Sequence, residues 1–161
     1  IQTAIASARR SVLIMTPYFL PGPALVGALQ SAALRGLEVK IVLPAKNNLP
    51  FVHWASRHAL GELMMRGVQI YYQPPPFAHT KLLVLDEDYA LVGSPNLDPR
   101  SLRLNFELAV EIFDPVGVAG LARHIRDTIA QSRAYSLAEL RRRRWPTRLR
   151  DSFFWLFSSY F

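Results

Sequence analysis

Apolar and polar positions follow two periods along the first half of the chain. Residues 11–15 (SVLIM), 37–43 and 68–72 are short apolar runs of the length and β-branched content expected of strands buried on both faces. Between the first two, Leu25, Ala28, Leu29 and Ala32 recur at helical spacing after a Pro21-Gly22-Pro23 turn, and Gly36 closes the helix they predict. A second helix is expected over 50–66, beginning at Pro50 and capped by Gly67. The chain opens at Ile1, without a methionine, inside a further helical pattern (IQTAIASARR), so a preceding segment is expected. The order β-α-β-α-β predicts a parallel sheet with right-handed crossovers.

After residue 73 the connections shorten. Pro74-Pro75-Pro76 forces an extended stretch without backbone donors. Strand patterns then follow at 82–85, 89–92 and 104–113, too close together for helical crossovers and therefore antiparallel or mixed in pairing. Asp114 and Pro115 suit the first positions of a helix with Val118, Leu121, Ile125 and Ile129 as its buried stripe. The expected fold class is α/β, a mixed β-sheet flanked by helices on both faces. The body closes near Ala134, giving a domain over 1–135.

Residues 136–161 read differently. Ser136 and Glu139 have capping-box spacing, Arg141 to Arg144 form a cationic run, and Trp145, Leu149, Phe153, Leu156 and Tyr160 recur at helical spacing. This predicts a basic, aromatic, amphipathic C-terminal segment, as in an interfacial anchor. Charge sharpens the contrast. Of the net +7, residues 1–140 carry 13 Lys and Arg against 11 Asp and Glu, while 141–161 carry six Arg against Asp151 alone. A localised basic cluster beside aromatics favours an anionic membrane surface, whereas a nucleic-acid partner calls for cations distributed along a groove. The 161 residues suffice for one domain with a substantial core. The absence of cysteine excludes disulfides and thiolate metal sites, and no apolar run approaches the roughly 20 residues of a membrane-spanning helix.

The candidate chemistry lies between His79 and Glu107. Strand alternation puts His79 and Lys81 on one face and Asp86 on the other, where a sheet-stabilising role or an ion pair suits it better than direct catalysis. Antiparallel pairing of 82–85 with 89–92 would bring Ser94 and Asn96, in a turn closed by Pro95 and Pro99, beside His79. Imidazole, ammonium, hydroxyl and carboxamide together suit an anionic tetrahedral group. Glu107, carried on the strand at 104–113, is placed to accept the Nδ1 proton of His79 and leave Nε2 free to attack. His53 and His58, five apart, have poor ligand spacing and are read as structural or solvated, and His124, on a polar face, is assigned no role.

The spacing His-x-Lys-x4-Asp-x6-Gly-Ser-x-Asn, with Asn96 to Ser101 (NLDPRS) and Asn105-Phe106-Glu107 beyond it, resembles the signature of the phospholipase D superfamily, and in particular the second half of bacterial cardiolipin synthases. The likeness extends through TPYFLP (16–21), IVLPAKNN (41–48) and WASR (54–57). Pro95 departs from it, standing where a small residue is more usual. What the resemblance implies is a phospholipase D-like half that transfers a phosphatidyl group through a phosphohistidine, using neither metal nor other cofactor. His79, Lys81, Asp86 and Glu107 would form its catalytic set, and Lys81, Ser94 and Asn96 would bind the phosphate. Asp98 and Arg100, on their own either an ion pair or a solvated turn, would by the resemblance form an ion pair that shapes the site. The implied product is cardiolipin made from phosphatidylglycerol, at a bacterial cytoplasmic membrane. The implied partner is a second His-Lys-Asp half, from a missing N-terminal region or a second copy. The alternative is a phospholipase D-like phosphodiesterase or nuclease acting as a homodimer.

Overall fold

The computed structural model describes residues 1–157. After a short helix α1 (Gln2–Ser7), strand β1 (Ser11–Met15), helix α2 (Pro23–Leu34), strand β2 (Glu38–Pro44), helix α3 (Pro50–Met64) and strand β3 (Gln69–Gln73) follow the expected alternation. Strands β4 (Leu82–Leu85) and β5 (Tyr89–Gly93), helix α4 (Pro99–Arg103), strand β6 (Ala109–Ile112) and helix α5 (Pro115–Ala130) come next. Strand β7 (Arg133–Tyr135) and helices α6 (Leu137–Arg141) and α7 (Trp145–Leu156) end the described chain.

One seven-stranded mixed sheet results, ordered β6-β5-β4-β1-β2-β3-β7. β1, β2 and β3 are parallel, whereas β4 runs antiparallel along the other side of β1 and β5 and β6 continue the antiparallel half. Alternation within β1 divides the core. Val12 and Ile14 pack with Leu25, Leu29, Leu60 and Leu63 of α2 and α3, while Leu13 and Met15 pack with Val118, Ala122 and Ile125 of α5. Helices thus cover both faces of a sheet whose central strands are buried throughout, the arrangement that continuous apolar runs demand.

Two features differ from the sequence reading. The strand expected over 104–113 forms only at Ala109–Ile112, because its partner β5 ends at Gly93, which pairs with Ala109. Residues before 109 have no ladder to join. Asp98 instead caps α4 by accepting the Ser101 N–H at 2.7 Å. Gly93 is required by that closure: a Cβ there would lie 2.7 Å from Ala109 Cα and closer still to Leu108 O. The second difference is β7, a three-residue strand antiparallel to β3, too short to give a periodic signal.

The C-terminal segment is docked on the domain. Ser136 and Glu139 form the expected capping box at α6, and α7 lies against α3. Its Asp151 is 3 % exposed and is held by Arg57 at 3.3 Å, by Arg150 at 2.8 Å and by Arg143. Phe154 packs on Trp54 with ring centroids 5.2 Å apart, and Trp155 stacks on His58 at 4.8 Å. Tyr160, the last position of the expected stripe, lies outside the described residues. Replacing Asp151 by Asn leaves guanidinium groups facing each other with one carboxylate fewer than they need. The expected loss is about 3 kcal/mol of unfolding free energy in a urea titration, as when one partner of a buried pair is removed. A loss below about 1 kcal/mol would mean that the pair is solvated rather than structural.

Candidate active site

The site lies where β4 begins and β5 ends. His79 and Lys81 stand on the extended approach to β4 rather than inside it, since Leu82 is the first paired residue. Lys81 Nζ sits 3.1 Å from Nδ1 and 3.4 Å from Nε2 of His79, with the His79 carbonyl 3.2 Å away. The expectation that His79 and Lys81 share one face holds. Tyr18 and Phe77 flank the imidazole, with ring centroids 6.0 and 5.9 Å from it. The Tyr18 hydroxyl donates to Asn48 Oδ1 at 2.6 Å, and Asn47 Nδ2 donates to the Pro17 carbonyl at 3.0 Å. The segments TPYFLP and AKNN therefore meet beside His79. The sequence pattern gave Tyr18 and Phe77 no role; their signal was an aromatic three residues past a buried strand and another two residues before the histidine.

Across the hairpin, the Gly93 N–H donates to the Lys81 carbonyl at 3.4 Å, so Ser94 follows directly on the residue opposite Lys81. The Ser94 hydroxyl donates to the Glu107 carboxylate and accepts the Leu108 N–H at 3.0 Å. Asn105 Nδ2 donates to the other Glu107 oxygen at 3.3 Å. The expected pairing of Glu107 with His79 is replaced by these bonds. The reason is the shortened β6: residue 107 lies in the coil that turns back onto Ser94, not on a strand beside β5. Asn96 Nδ2 donates to Ser101 Oγ at 3.3 Å, while its buried Oδ1 has no hydrogen-bond partner among the described residues.

Asp86 sits at the far end of β4, five residues or about 17 Å from Lys81 at strand rise. Its carboxylate accepts the N–H groups of Arg9 and Arg10 at 2.7 Å and of Ser11 at 2.8 Å. The opposite-side, sheet-stabilising reading of Asp86 matches this geometry. It touches none of the groups around His79.

Charge at the site is tuned by these contacts. Partial burial and then the Lys81 ammonium push the His79 imidazole below its usual range, so it is neutral at pH 7. Burial lowers Lys81 while Glu107 opposes that shift. Glu107 is held below the usual carboxylate range, first by the Ser94 hydroxyl and further by Asn105, Ser101 and Lys81, so it stays ionised. A neutral imidazole beside an ammonium and a hydroxyl can act as a nucleophile toward an anionic phosphorus centre. Asp98 differs: its burial raises it, against the lowering by Ser101 and Arg100 N–H groups.

A mixed sheet with helices on both faces, carrying His79 and Lys81 at its open end opposite Gly93-Ser94, defines a phospholipase D-like domain. Solved structures share the fold. The phospholipase D family member Nuc from Salmonella typhimurium superposes with a TM-score of 0.74 at 28% identity, over 84% of this chain and 88% of that one. Phosphatidylserine synthase from Haemophilus influenzae gives 0.76 at 16% identity, over 98% of this chain and 43% of that one, a likeness of fold alone. The chain belongs to the cardiolipin synthase, PLD-like domain family, whose pattern it matches over residues 1–132. It is 42% identical over 156 residues to cardiolipin synthase A of Serratia proteamaculans, covering 97% of this chain and 32% of that protein. With the major cardiolipin synthase ClsA of Bacillus subtilis it shares 37% over 148 residues, 92% of this chain and 31% of that protein. It thus spans about a third of the length of these curated relatives.

The Lys81–His79 contact predicts a measurable titration. The His79 imidazole is expected to titrate below 6.5 when its ring protons are followed by NMR, and Lys81→Met is expected to move that midpoint upward, part of the way back. Removing a neighbouring cation makes the protonated ring easier to form, hence the sign. An unchanged midpoint in Lys81→Met would show that the ammonium does not face the ring in solution.

Proposed function

We propose that this chain is one catalytic half of a phosphatidyltransferase that forms cardiolipin from phosphatidylglycerol through a phosphohistidine. The observation that carries the reading is a neutral, exposed imidazole held beside Lys81 at the open end of the sheet, in a chain of this family. In the first step a His79 ring nitrogen attacks the lipid phosphorus and the bond to the glycerol oxygen breaks. The glycerol leaves once it gains a proton from a general acid. In the second step a hydroxyl of another phosphatidylglycerol loses its proton to that same group and attacks phosphorus, and the phosphorus–nitrogen bond breaks. Cardiolipin and glycerol result, with His79 restored. Lys81 and Ser94 neutralise and orient the phosphate; Asn96 and Glu107 complete the set assigned to the site, Glu107 acting through Ser94 and Lys81.

The chain offers a single imidazole at this site, so the general acid is assigned to a second His-Lys-Asp half. Two facts support such a partner. The curated relatives are about three times as long as the chain, and an apolar border comprising Leu104, Phe106, Leu108 and Val110 stands exposed beside the site. The homodimeric phosphodiesterase or nuclease reading has its own support in the Salmonella chain, 88% of which is covered by this one half-sized unit. The even charge of residues 1–140 weighs against a nucleic-acid substrate.

Two variants test the reading in protein that holds both halves, with cardiolipin release from phosphatidylglycerol vesicles as the assay. His79→Asn is expected to lower turnover by about 10³-fold or more while the thermal transition stays in place. Retention of more than a few per cent of activity would remove His79 from the chemistry. Glu107→Gln keeps an acceptor for Ser94 but removes the charge that supports the Lys81 ammonium. A fall in kcat on the order of 10- to 100-fold with little change in KM is expected, and a raised KM with kcat intact would make Glu107 a binding residue.

A further inference from the structure

Helix α7 has two faces with opposite fates. The face toward α3 carries Asp151, Phe154 and Trp155, and Arg150 stacks its guanidinium 4.1 Å from the Trp54 ring centroid. The other face carries Trp145, Leu149, Phe153 and Leu156, which are 75, 63, 55 and 74 % exposed. At 100° per residue these four fall within about 80° of one another, roughly opposite Asp151. They form one continuous apolar stripe that no other described element covers.

The arginines divide in the same way. Arg143 and Arg150 turn inward to Asp151. Arg141, Arg142, Arg144 and Arg148 are exposed, and none of them has an acidic partner among the described residues. Arg141 and Arg148 also line an open cleft of about 350 Å³ between α3, α6 and α7, large enough for a phosphate-bearing headgroup. A protein partner would have to bring four acidic side chains to one corner. An anionic bilayer presents phosphates beside an apolar layer, and aromatics on a basic helix suit its headgroup depth.

We propose that the α6–α7 corner docks on an anionic phospholipid bilayer, with the Trp145–Leu149–Phe153–Leu156 stripe in the headgroup layer and the four outward arginines on lipid phosphates. The surface works independently of His79, so its test needs no turnover. The chain is mixed with vesicles of 30 mol % phosphatidylglycerol in phosphatidylcholine, or of phosphatidylcholine alone, and the bound fraction is read by co-flotation. Binding to the anionic vesicles is expected to be about 10-fold or more tighter and to weaken between 0.1 and 0.5 M salt, as screening of exposed charges requires. The combination R141Q, R142Q, R144Q and R148Q is expected to abolish the preference for anionic vesicles. The combination L149S, F153S and L156S is expected to lower binding to both kinds of vesicle by at least about 10-fold. All seven positions are exposed, so circular dichroism and the thermal midpoint should match the parent. Equal binding to neutral and anionic vesicles, or undiminished binding by the serine variant, would overturn the proposal. So would a dimer in size-exclusion chromatography that the serine variant dissolves in a protein that ignores vesicles; the occupant would then be a second copy.

Discussion

The carboxylate of Asp86 is the fixed point from which the site is measured. It accepts three successive backbone N–H groups, those of Arg9, Arg10 and Ser11, and so ties the β4–β5 turn to the start of β1. Burial alone would raise its pKa, but these N–H groups and the Arg10 guanidinium bring it below the ordinary carboxylate range, so it is ionised at neutral pH. Asp86 and Glu87 both adopt left-handed backbone conformations, φ 56° and 66°, a conformation that the three bonds to Asp86 help to hold against its intrinsic cost. The register of β4 on β1, Val12 with Leu85 through Met15 with Leu82, follows from that anchor. A slip by one residue would turn Leu83 and Leu85 from one core to the other and carry Lys81 to the wrong face. The motif spacing from Lys81 to Asp86 is therefore the length of one short strand. One end is clamped, and the other presents the chemistry.

At the presenting end the loops are held by backbone bonds together with the packing of buried Phe19, Leu20 and Leu97. Leu20 N–H donates to Leu97 O at 3.0 Å, and Phe19 bridges Leu97, joining the exit of β1 to the exit of β5. Gly93 lets the chain at Leu108 and Ala109 approach closely enough for Ser94 to hold Glu107. Yet His79, Ser94, Phe106 and Leu108 all stay exposed. The phosphohistidine proposed for this site would need shielding from water while its phosphorus–nitrogen bond exists. Under that proposal the shielding surface is assigned to the second half.

Much of this was legible in the sequence because the strong signals were redundant. The β-α-β-α-β order, the two-faced burial of β1 and β4, the capping residues Asp114 and Ser136 and the placing of His79 beside Lys81 each rested on period and residue chemistry together. The misreading of 104–113 had a definite cause. Leu104, Phe106 and Leu108 alternate with polar residues as a half-buried strand does, but alternation reports only which residues would share a face, and a strand needs a partner of equal length. With β5 ending at Gly93, those apolar side chains lie in exposed coil, and Glu107 meets Ser94 rather than His79. The three-residue β7 and the aromatic walls Tyr18 and Phe77 left no periodic trace at all.

The C-terminal segment shows why composition alone could not decide its role. A run of arginines and aromatics is equally what a terminal helix needs to cover a core and what it needs to rest on lipid, and α7 divides those side chains between two faces. The division hinges on Asp151. With Arg57, Arg143 and Arg150 gathered on it, the acid aligns the helix on α3, and the stripe from Trp145 to Leu156 is left pointing outward. Without a buried acid, a helix this basic would be pushed from α3 by Arg57. The single acidic residue among the last 21 is therefore what converts a cationic tail into an oriented one.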